Sequence, residues 1–220
     1  MYKPTKTICI LGCGWVGKAL EKSLNTNKYK TICLSKNISK NNYNCDTLVI
    51  AIPPKENYLE VLEQTFSKIA EHTQVILLSS ISYYDNKALV VEGEALVEKL
   101  CIHRVVLRLG GLMGYDRVAG KYTAGKTLPF DTGTNYVHRD DVVGIIESVI
   151  FKNITSTVFD VVAPIQSTKK QVFEQNTKAY GFEQTQFLDV YKEGKVLSPD
   201  SLCDTLGYVF KYEDVQMFWR

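Results

Sequence analysis

Three glycines near the start of the sequence, Gly12, Gly14 and Gly17, have the spacing G-x-G-x-x-G. An apolar run over 8–11 comes directly before them, and a helix is expected to begin near Trp15. Dinucleotide-binding loops need this spacing because the first glycine makes a tight turn and the second lets the backbone approach a pyrophosphate. The third allows the helix to pack closely on the strand. The motif predicts a phosphate-binding loop, with a purely structural glycine turn as the alternative.

The first turn of the following helix should face the same phosphates, because backbone amides at a helix start attract anions. Trp15 and Val16 belong to that turn and are therefore predicted cofactor contacts. Trp15 either stacks on the cofactor or closes over the sheet as a loop aromatic.

Ser35 and Lys36 follow the second predicted strand, at the point where dinucleotide folds distinguish NAD from NADP. An acidic residue there binds the ribose 2′-hydroxyl of NAD, whereas a hydroxyl and an ammonium can bind the 2′-phosphate of NADP. Since no carboxylate stands at this point, we expect NADP as the cofactor, with NAD as the alternative. The competing interpretation is an exposed lysine in a polar loop.

Hydroxyl side chains fill the segment Ser-Ser-Ile-Ser-Tyr-Tyr over 79–84, at the end of another predicted strand. Ligands of open α/β sheets bind at the carboxyl ends of the strands, so Ser79, Ser80 and Tyr84 are candidates for cofactor or substrate contacts. Simple capping of the strand end accounts equally well for Ser79 and Ser82.

Neither the histidines nor the cysteines have the spacing of metal ligands. His138 precedes Asp140 and Asp141, a pattern that fits a helix start at which an aspartate caps backbone amides. The cysteines include no C-x-x-C pair and mostly stand among apolar neighbours: Cys9, Cys13, Cys33, Cys45, Cys101 and Cys203. We expect reduced thiols in a hydrophobic core, as is typical of a cytoplasmic protein.

The composition predicts a compact globular protein: 220 residues, 45% hydrophobic and 23% charged, with a net charge of +2. Such a small charge provides no basic field for a nucleic-acid backbone or an anionic membrane surface. Glycines interrupt the apolar run after Lys6, and no other segment approaches the roughly 18 apolar residues that span a bilayer. We expect a small-molecule substrate, with no nucleic-acid or membrane partner, and make no prediction of oligomeric state.

The elements that must position these residues alternate between strands and helices, which predicts an α/β fold with a parallel sheet. β-Branched runs predict strands over Thr7–Leu11, Lys30–Leu34, 47–52, 74–78 and Arg104–Leu109. Apolar residues at helical spacing predict helices over 59–69 and 90–100. The link 36–46 is too short for a helical crossover and should be a trimmed loop.

The second half of the chain predicts a helix from Asp141, a strand over 157–162 and a helix over Lys169–Tyr180. That last helix has a T-x-x-Q capping box before it and a glycine after it. We expect an NAD(P)-binding Rossmann core over 1–115 and a C-terminal part over 116–220. Residues 136–165 would complete the core, and the remainder would form a small cap on the substrate side.

The order of the motifs resembles that of the short-chain dehydrogenase/reductase superfamily, specifically atypical members of its extended, NAD(P)-dependent epimerase/dehydratase-like branch. Besides the glycine loop, the segments 79–84, 107–114 and 136–141 are similar to the family's S-S-x-x-V-Y-G, L-R-x-x-x-x-Y-G and I-H-V-D-D. The tail 194–208 is similar to the closing segment of atypical members. The resemblance covers nearly the whole chain and implies a Rossmann-type doubly wound parallel sheet with a small C-terminal α+β cap.

The resemblance also implies roles for individual residues. Ser80 matches the serine that hydrogen-bonds the substrate oxygen, and Tyr84 matches the tyrosine of V-Y-G, which makes it a candidate proton donor. Two further groups would lie along the cofactor or its adenosine or ribose side: Gly110, Gly111 and Leu112, and Ala51, Ile52 and Pro53. The irregular segment 115–126 is expected to contact the substrate.

Two features depart from the family pattern. The glycine loop is one residue shorter than the usual G-x-x-G-x-x-G, and Val90 and Glu94 stand where the family has its Tyr-x-x-x-Lys pair. Without that pair, proton transfer to a carbonyl oxygen has no obvious donor.

Three functional hypotheses follow. The first is an NADP-dependent oxidoreductase acting on a small cytoplasmic metabolite. The second is a non-catalytic NADP-binding sensor or enzyme remnant, which the missing Tyr-Lys pair favours. The third is a nucleotide-sugar epimerase/dehydratase or a hydroxyacid-dehydrogenase-like enzyme.

Overall fold

The computed structural model describes residues 6–27, 29–35, 38 and 41–219. The chain divides into two compact units. The first comprises the chain up to Arg108 together with Val143–Phe159, and the second comprises Leu109–Val142 and Asp160–Arg220. Within the described residues, no helix has both the length and the apolar character needed to cross a membrane.

The strands, in chain order, are β1 (Thr7–Leu11), β2 (Lys30–Leu34), β3 (Thr47–Ile50), β4 (Gln74–Ser80), β5 (Arg104–Leu109), β6 (Gly111–Met113), β7 (Thr127–Leu128), β8 (Tyr136–His138), β9 (Thr157–Val161) and β10 (Gln186–Phe187). The α-helices are α1 (Trp15–Thr26), α2 (Tyr58–Phe66), α3 (Ala88–Leu100), α4 (Arg139–Lys152), α5 (Lys169–Tyr180) and α6 (Asp200–Leu206).

A six-stranded parallel sheet, ordered β2-β1-β3-β4-β5-β9, forms the centre of the first unit. The register places Ile10 opposite Cys33 of β2 and Val49 of β3, so the carboxyl ends of the three strands meet at one edge. β1, β3 and β4 are buried almost throughout because helices cover a parallel sheet on both faces. The predicted Rossmann-type fold is confirmed.

Several predicted element ends differ from the structure by one to three residues. β3 ends at Ile50, two residues early, because two prolines at 53 and 54 lack the amides that continue a ladder. α2 ends at Phe66 and leaves Ile69 outside it, whereas α4 begins two residues early at Arg139.

The link between β2 and β3 forms no α-helix over its described residues, 38 and 41–46. The side chain of Asn41 closes it: Ser35 N–H donates to Asn41 Oδ1 at 2.8 Å, and Asn41 Nδ2 donates to Ser35 O at 2.9 Å. The asparagine substitutes for backbone pairing, as is common in turns.

The cysteine prediction is wrong for one pair. Cys13 and Cys33 form a disulfide with their Cα atoms 5.9 Å apart, and Cys33 is exposed on the edge strand β2. Parallel pairing of β1 with β2 brings the two residues together across twenty positions of sequence. Cys9, Cys45 and Cys101 are buried free thiols as expected, whereas Cys203 is only partly buried.

The second unit contains the small pairs β6–β8 and β7–β10, with α5 and α6. α5 begins at the predicted capping box, in which Thr168 accepts from Gln171 N–H, and ends at Gly181 in the left-handed conformation. A cluster of apolar residues surrounds Phe173, Val172 and Val215.

Candidate functional site

Two of the three loop glycines are required by the protein itself. Gly12 has a φ of +106°, and a Cβ there would lie 2.7 Å from Ala51 C and O. A Cβ at Gly17 would collide with the carbonyl oxygen of Gly12. A larger residue at 12 would therefore displace the loop from the end of β3, and one at 17 would displace α1 from the loop.

Gly14 is different, because a Cβ there would meet no atom within 4 Å from the described residues beyond its chain neighbours. Its N–H donates to Gly12 O at 2.8 Å, which closes the turn, and α1 starts at the next residue without a capping side chain. The positive end of a helix dipole thus meets open space above a glycine, an arrangement suited to an anion.

A cavity of about 620 Å³ lies beside this loop, at the carboxyl ends of β1, β2 and β3. Its volume is in the range of small-molecule and cofactor sites. The wall consists of Leu11, Gly12, Cys13, Gly14, Leu34, Ser35, Ile38, Ala51, Ile52, Pro53, Glu56, Tyr58 and Val61. The cavity brings together six predicted residues, namely Gly12, Gly14, Ser35, Ala51, Ile52 and Pro53.

Sequence reasoning missed two polar residues of that wall. Tyr58 begins α2 and is buried, and its pKa is raised to about 12 by burial and by the negative charge of Glu94. Glu56 is exposed just before it. The prediction considered carboxylates only at the end of β2, and the turn after β3 places Glu56 in the same cavity wall. Lys36, the predicted phosphate contact, lies outside the described residues.

The hydroxyl segment after β4 forms a 3₁₀ turn over Ile81–Asp85. Ser80 Oγ caps this turn by accepting from Ser82 N at 3.1 Å, and Ser82 Oγ donates to it at 3.0 Å. Ser79 Oγ instead donates to Glu94 Oε1 at 2.5 Å. Capping is thus observed for Ser80 rather than Ser79, and the oxygen of Ser80 is held at the strand end.

A buried ion pair stands where the family has its lysine. Arg108 Nη2 donates to Glu94 Oε2 at 2.7 Å, and only 14% and 7% of the two side chains are exposed. Val90, at the tyrosine position, is a buried core residue. The two positions therefore differ from Tyr-x-x-x-Lys both in residue type and in surroundings, since Val90 belongs to the core and Glu94 is paired with Arg108.

Arg108 also contacts both tyrosines of the turn. Its Nη1 donates to Tyr84 Oη at 3.3 Å, and its guanidinium carbon lies 3.4 Å from the ring centroid of Tyr83. Burial lowers the pKa of Arg108, but the hydrogen bonds with Glu94 and Tyr84 outweigh it and hold that pKa above its ordinary value. The sequence offered two signals for this residue: it interrupts the apolar run of β5, and it matches the arginine of L-R-x-x-x-x-Y-G.

Gly110, Gly111 and Leu112 lie in the second unit, where β6 pairs with β8. A Cβ at Gly111 would lie 2.5 Å from the ring of Tyr136, and one at Gly110 would collide with Asn135 O. These contacts explain both glycines by packing, and the approach of the segment to a cofactor stays a prediction.

The segment 115–126 is anchored to the start of α4. Tyr115, in a left-handed conformation with φ of +55°, donates to Asp140 Oδ2 at 2.5 Å, which raises the pKa of Tyr115 to about 12. The guanidinium of Arg139 lies 4.3 Å from the same ring.

Asp141 and His138 have structural roles in the second unit. Asp141 accepts from Tyr208 Oη and from the amides of Lys211 and Tyr212 at 2.7–3.1 Å, so it holds the C-terminal segment. His138 stacks on Tyr212 with ring centroids 3.6 Å apart. In the part of the chain that is described, no group of three His, Cys, Asp or Glu residues could hold a metal ion.

The whole chain is similar to known proteins, although no family model matches it. Protein YeeZ of Escherichia coli (strain K12) is 25% identical in an alignment that covers 95% of this chain and 97% of YeeZ. A protein assigned as an NAD-dependent epimerase/dehydratase from Methylobacillus flagellatus superposes with a TM-score of 0.76 at 17% identity, covering 95% of this chain and 94% of that one. The human epimerase family protein SDR39U1, solved with NADPH, gives a TM-score of 0.76 at 16% identity, covering 96% and 97%.

These similarities establish the fold. The chain has the Rossmann-type α/β fold of epimerase/dehydratase and short-chain dehydrogenase/reductase proteins, as its motif order predicts.

Proposed function

We propose that this chain binds a nicotinamide dinucleotide, NADP(H) in preference to NAD(H), and acts as an oxidoreductase on a small cytoplasmic metabolite. The observation that carries the proposal is the open space over Gly14, between the uncapped start of α1 and the 620 Å³ cavity. The structural neighbours named as NAD-dependent or solved with NADPH support this class of cofactor.

The residues present fit such a cofactor. The start of α1 and the backbone of Gly14 would hold the pyrophosphate, since the space there is free and the local charge is positive. Ala51, Ile52 and Pro53 supply an apolar wall for the adenosine or ribose side. When bound, the nicotinamide supplies or accepts the hydride.

Preference for NADP rests on Ser35 and Lys36, and Glu56 opposes it. A charge-assisted contact from Lys36 to the 2′-phosphate would contribute about 1.5 to 3 kcal/mol, or roughly one to two decades of affinity. A carboxylate in the wall would repel that phosphate. We expect NADPH to bind more tightly than NADH, Lys36→Ala to remove the difference, and Glu56→Gln to enlarge it. Equal dissociation constants in the unaltered protein would contradict this preference.

The chain's own groups for proton transfer are Ser80 and Tyr84. Ser80 would orient the substrate oxygen, and Tyr84 would give up its hydroxyl proton to it. Arg108 replaces the missing lysine as the cation beside that hydroxyl. Glu94 partly neutralises the positive charge of Arg108, so Arg108 should assist proton transfer only weakly. We therefore expect a slow enzyme.

The test of cofactor binding compares Gly14→Val with Gly17→Val. The first should fold like the unaltered protein and lose about tenfold or more in affinity for NADPH, because its side chain enters free space that the pyrophosphate needs. The second should unfold, because its Cβ meets the backbone of Gly12. Circular dichroism and fluorescence titration measure the two properties. A folded Gly14→Val protein with unchanged affinity would overturn the assignment.

A second candidate function is a cofactor-binding sensor without turnover, favoured by Val90 in the core and by the ion pair of Glu94. Incubation with NADPH and a panel of carbonyl compounds separates the two functions. Oxidation of NADPH that decreases in both Ser80→Ala and Tyr84→Phe supports the enzyme. Tight binding without oxidation supports the sensor.

A further inference from the structure

The disulfide between Cys13 and Cys33 lies at the predicted cofactor site. Cys13 stands between Gly12 and Gly14 and lines the 620 Å³ cavity, whereas Cys33 lies on β2 immediately before Leu34 and Ser35, which line it as well. The bond therefore joins the loop that would hold the pyrophosphate to the strand that leads to the ribose side. A change in this bond acts directly on the cavity wall.

The pair is accessible, unlike the buried thiols. Cys33 is exposed and Cys13 is partly exposed. Cys9, Cys45 and Cys101 are buried, and burial raises the pKa of Cys101 to about 11, which keeps it protonated and unreactive. A small thiol or disulfide can thus reach this pair from solvent.

We propose that Cys13 and Cys33 form a reversible dithiol–disulfide couple, in which the disulfide form binds the dinucleotide and reduction weakens that binding. The inference rests on the proposed function and on the cytoplasmic location proposed with it. In the cytoplasm, protein disulfides are usually transient and serve in catalysis or redox sensing.

The geometry of the disulfide form is the reason for expecting this form to bind the dinucleotide more tightly. In that form the loop is fixed to β2, the space over Gly14 is open and the cavity is present. Fixing a loop in a conformation that can bind reduces the entropy lost on binding. Reduction releases residue 13 from β2, so the loop must be ordered again when the pyrophosphate binds.

The redox step needs a low-molecular-weight disulfide as oxidant. The thiolate of Cys33 attacks it and forms a mixed disulfide, and one small thiolate leaves. The thiolate of Cys13 then attacks Cys33 Sγ, the Cys13–Cys33 bond forms, and the second small thiol leaves. The protein loses two electrons and two protons in all, and the oxidant becomes two thiols.

The experiment uses the full chain in two redox states, prepared with glutathione disulfide and with dithiothreitol. Mass spectrometry after thiol alkylation determines whether Cys13 and Cys33 are joined, independently of any binding. NADPH is then titrated into each state. We expect the disulfide form to bind about tenfold more tightly, the size of effect that ordering a short loop produces.

Two variants locate the effect. Cys33→Ser should bind NADPH with the weaker affinity under both conditions. Cys203→Ser removes a partly exposed thiol outside the pair and should keep the full redox response.

The possible results separate the two proposals. Equal affinities in the two states, or free thiols at Cys13 and Cys33 after oxidation, would overturn the redox inference and leave the proposed function standing. Failure of NADPH to bind in either state, with the disulfide formed quantitatively, would overturn the proposed function and the regulation with it.

Discussion

Glu94 and Glu98 lie one turn apart on α3 and each pairs with an arginine of β5. Only 14% of the Arg108 side chain and 7% of the Glu94 side chain are exposed, whereas 72% of the Glu98 side chain that pairs with Arg104 is exposed. This difference in exposure determines how much each pair matters for stability. Removing one partner of a buried pair leaves an uncompensated charge, whereas at the surface water replaces the lost partner.

Glu94→Ala should therefore lower the free energy of unfolding by about 3 to 5 kcal/mol, because it removes the carboxylate that pairs with Arg108. Glu98→Ala is the matched control and should cost less than about 1 kcal/mol. Urea unfolding of both variants at neutral pH measures the losses. Equal losses would show that the buried pair has no special structural role.

Cysteines 13 and 33 show that the same residue type can have different roles. From the sequence, all six cysteines are expected to be reduced thiols, most of them among apolar neighbours. Only pairing of β1 with β2 brings these two together and separates them from the buried thiols.

Among the elements, α5 is the helix whose ends the sequence marks most clearly. Thr168 and Gln171 form a reciprocal capping box, and Gly181 ends the helix in a left-handed conformation that favours glycine. Both features were predicted from spacing alone, and both are confirmed.

The capping box gives a second prediction. Thr168→Ala should lower the free energy of unfolding by about 1 kcal/mol, because the amide of Gln171 loses its acceptor. Thr177→Val on the same helix is the control: its hydroxyl has no hydrogen-bond partner among the described residues, so the change should be neutral or stabilising. Thermal unfolding compares the two. A cap variant as stable as the unaltered protein would argue against a structural role for the box.

For the molecule as a whole, stability should depend on pH through His138. The ring is 1% exposed, and its Nδ1 accepts from Asp140 N–H at 3.2 Å, so the neutral form is required. Burial lowers the pKa of His138 to about 4, although the negative charge of Asp140 opposes the effect.

The sign of this dependence follows from proton binding. As pH falls below 6.5, the unfolded state binds a proton on this histidine before the folded state does. The free energy of unfolding therefore decreases by up to about 3 kcal/mol by pH 4. Above pH 6.5 the effect is absent. His138→Asn keeps an acceptor for Asp140 but cannot titrate there, so its stability should change less between pH 7 and 4.5. Urea unfolding at both values tests this, and identical pH dependence in the two proteins would contradict it.

The sequence was sufficient for features that depend on near neighbours in the chain. The strand before Gly12, the start of α1 at Trp15 and the ends of α5 each follow from spacing within about a dozen residues. Parallel order followed as well, because strands that alternate with helices have few other arrangements.

Contacts between distant residues required the folded chain. The Cys13–Cys33 bond, the contacts of Arg108 with Tyr84 and Glu94, and the position of Glu56 in the cavity wall depend on which strands are adjacent and which faces they share. Side-chain type and spacing along the chain do not carry that information, because a charge, a thiol or a hydroxyl has a different partner in each packing of the same elements. The sequence thus predicts a dinucleotide loop, whereas packing determines the groups that surround it.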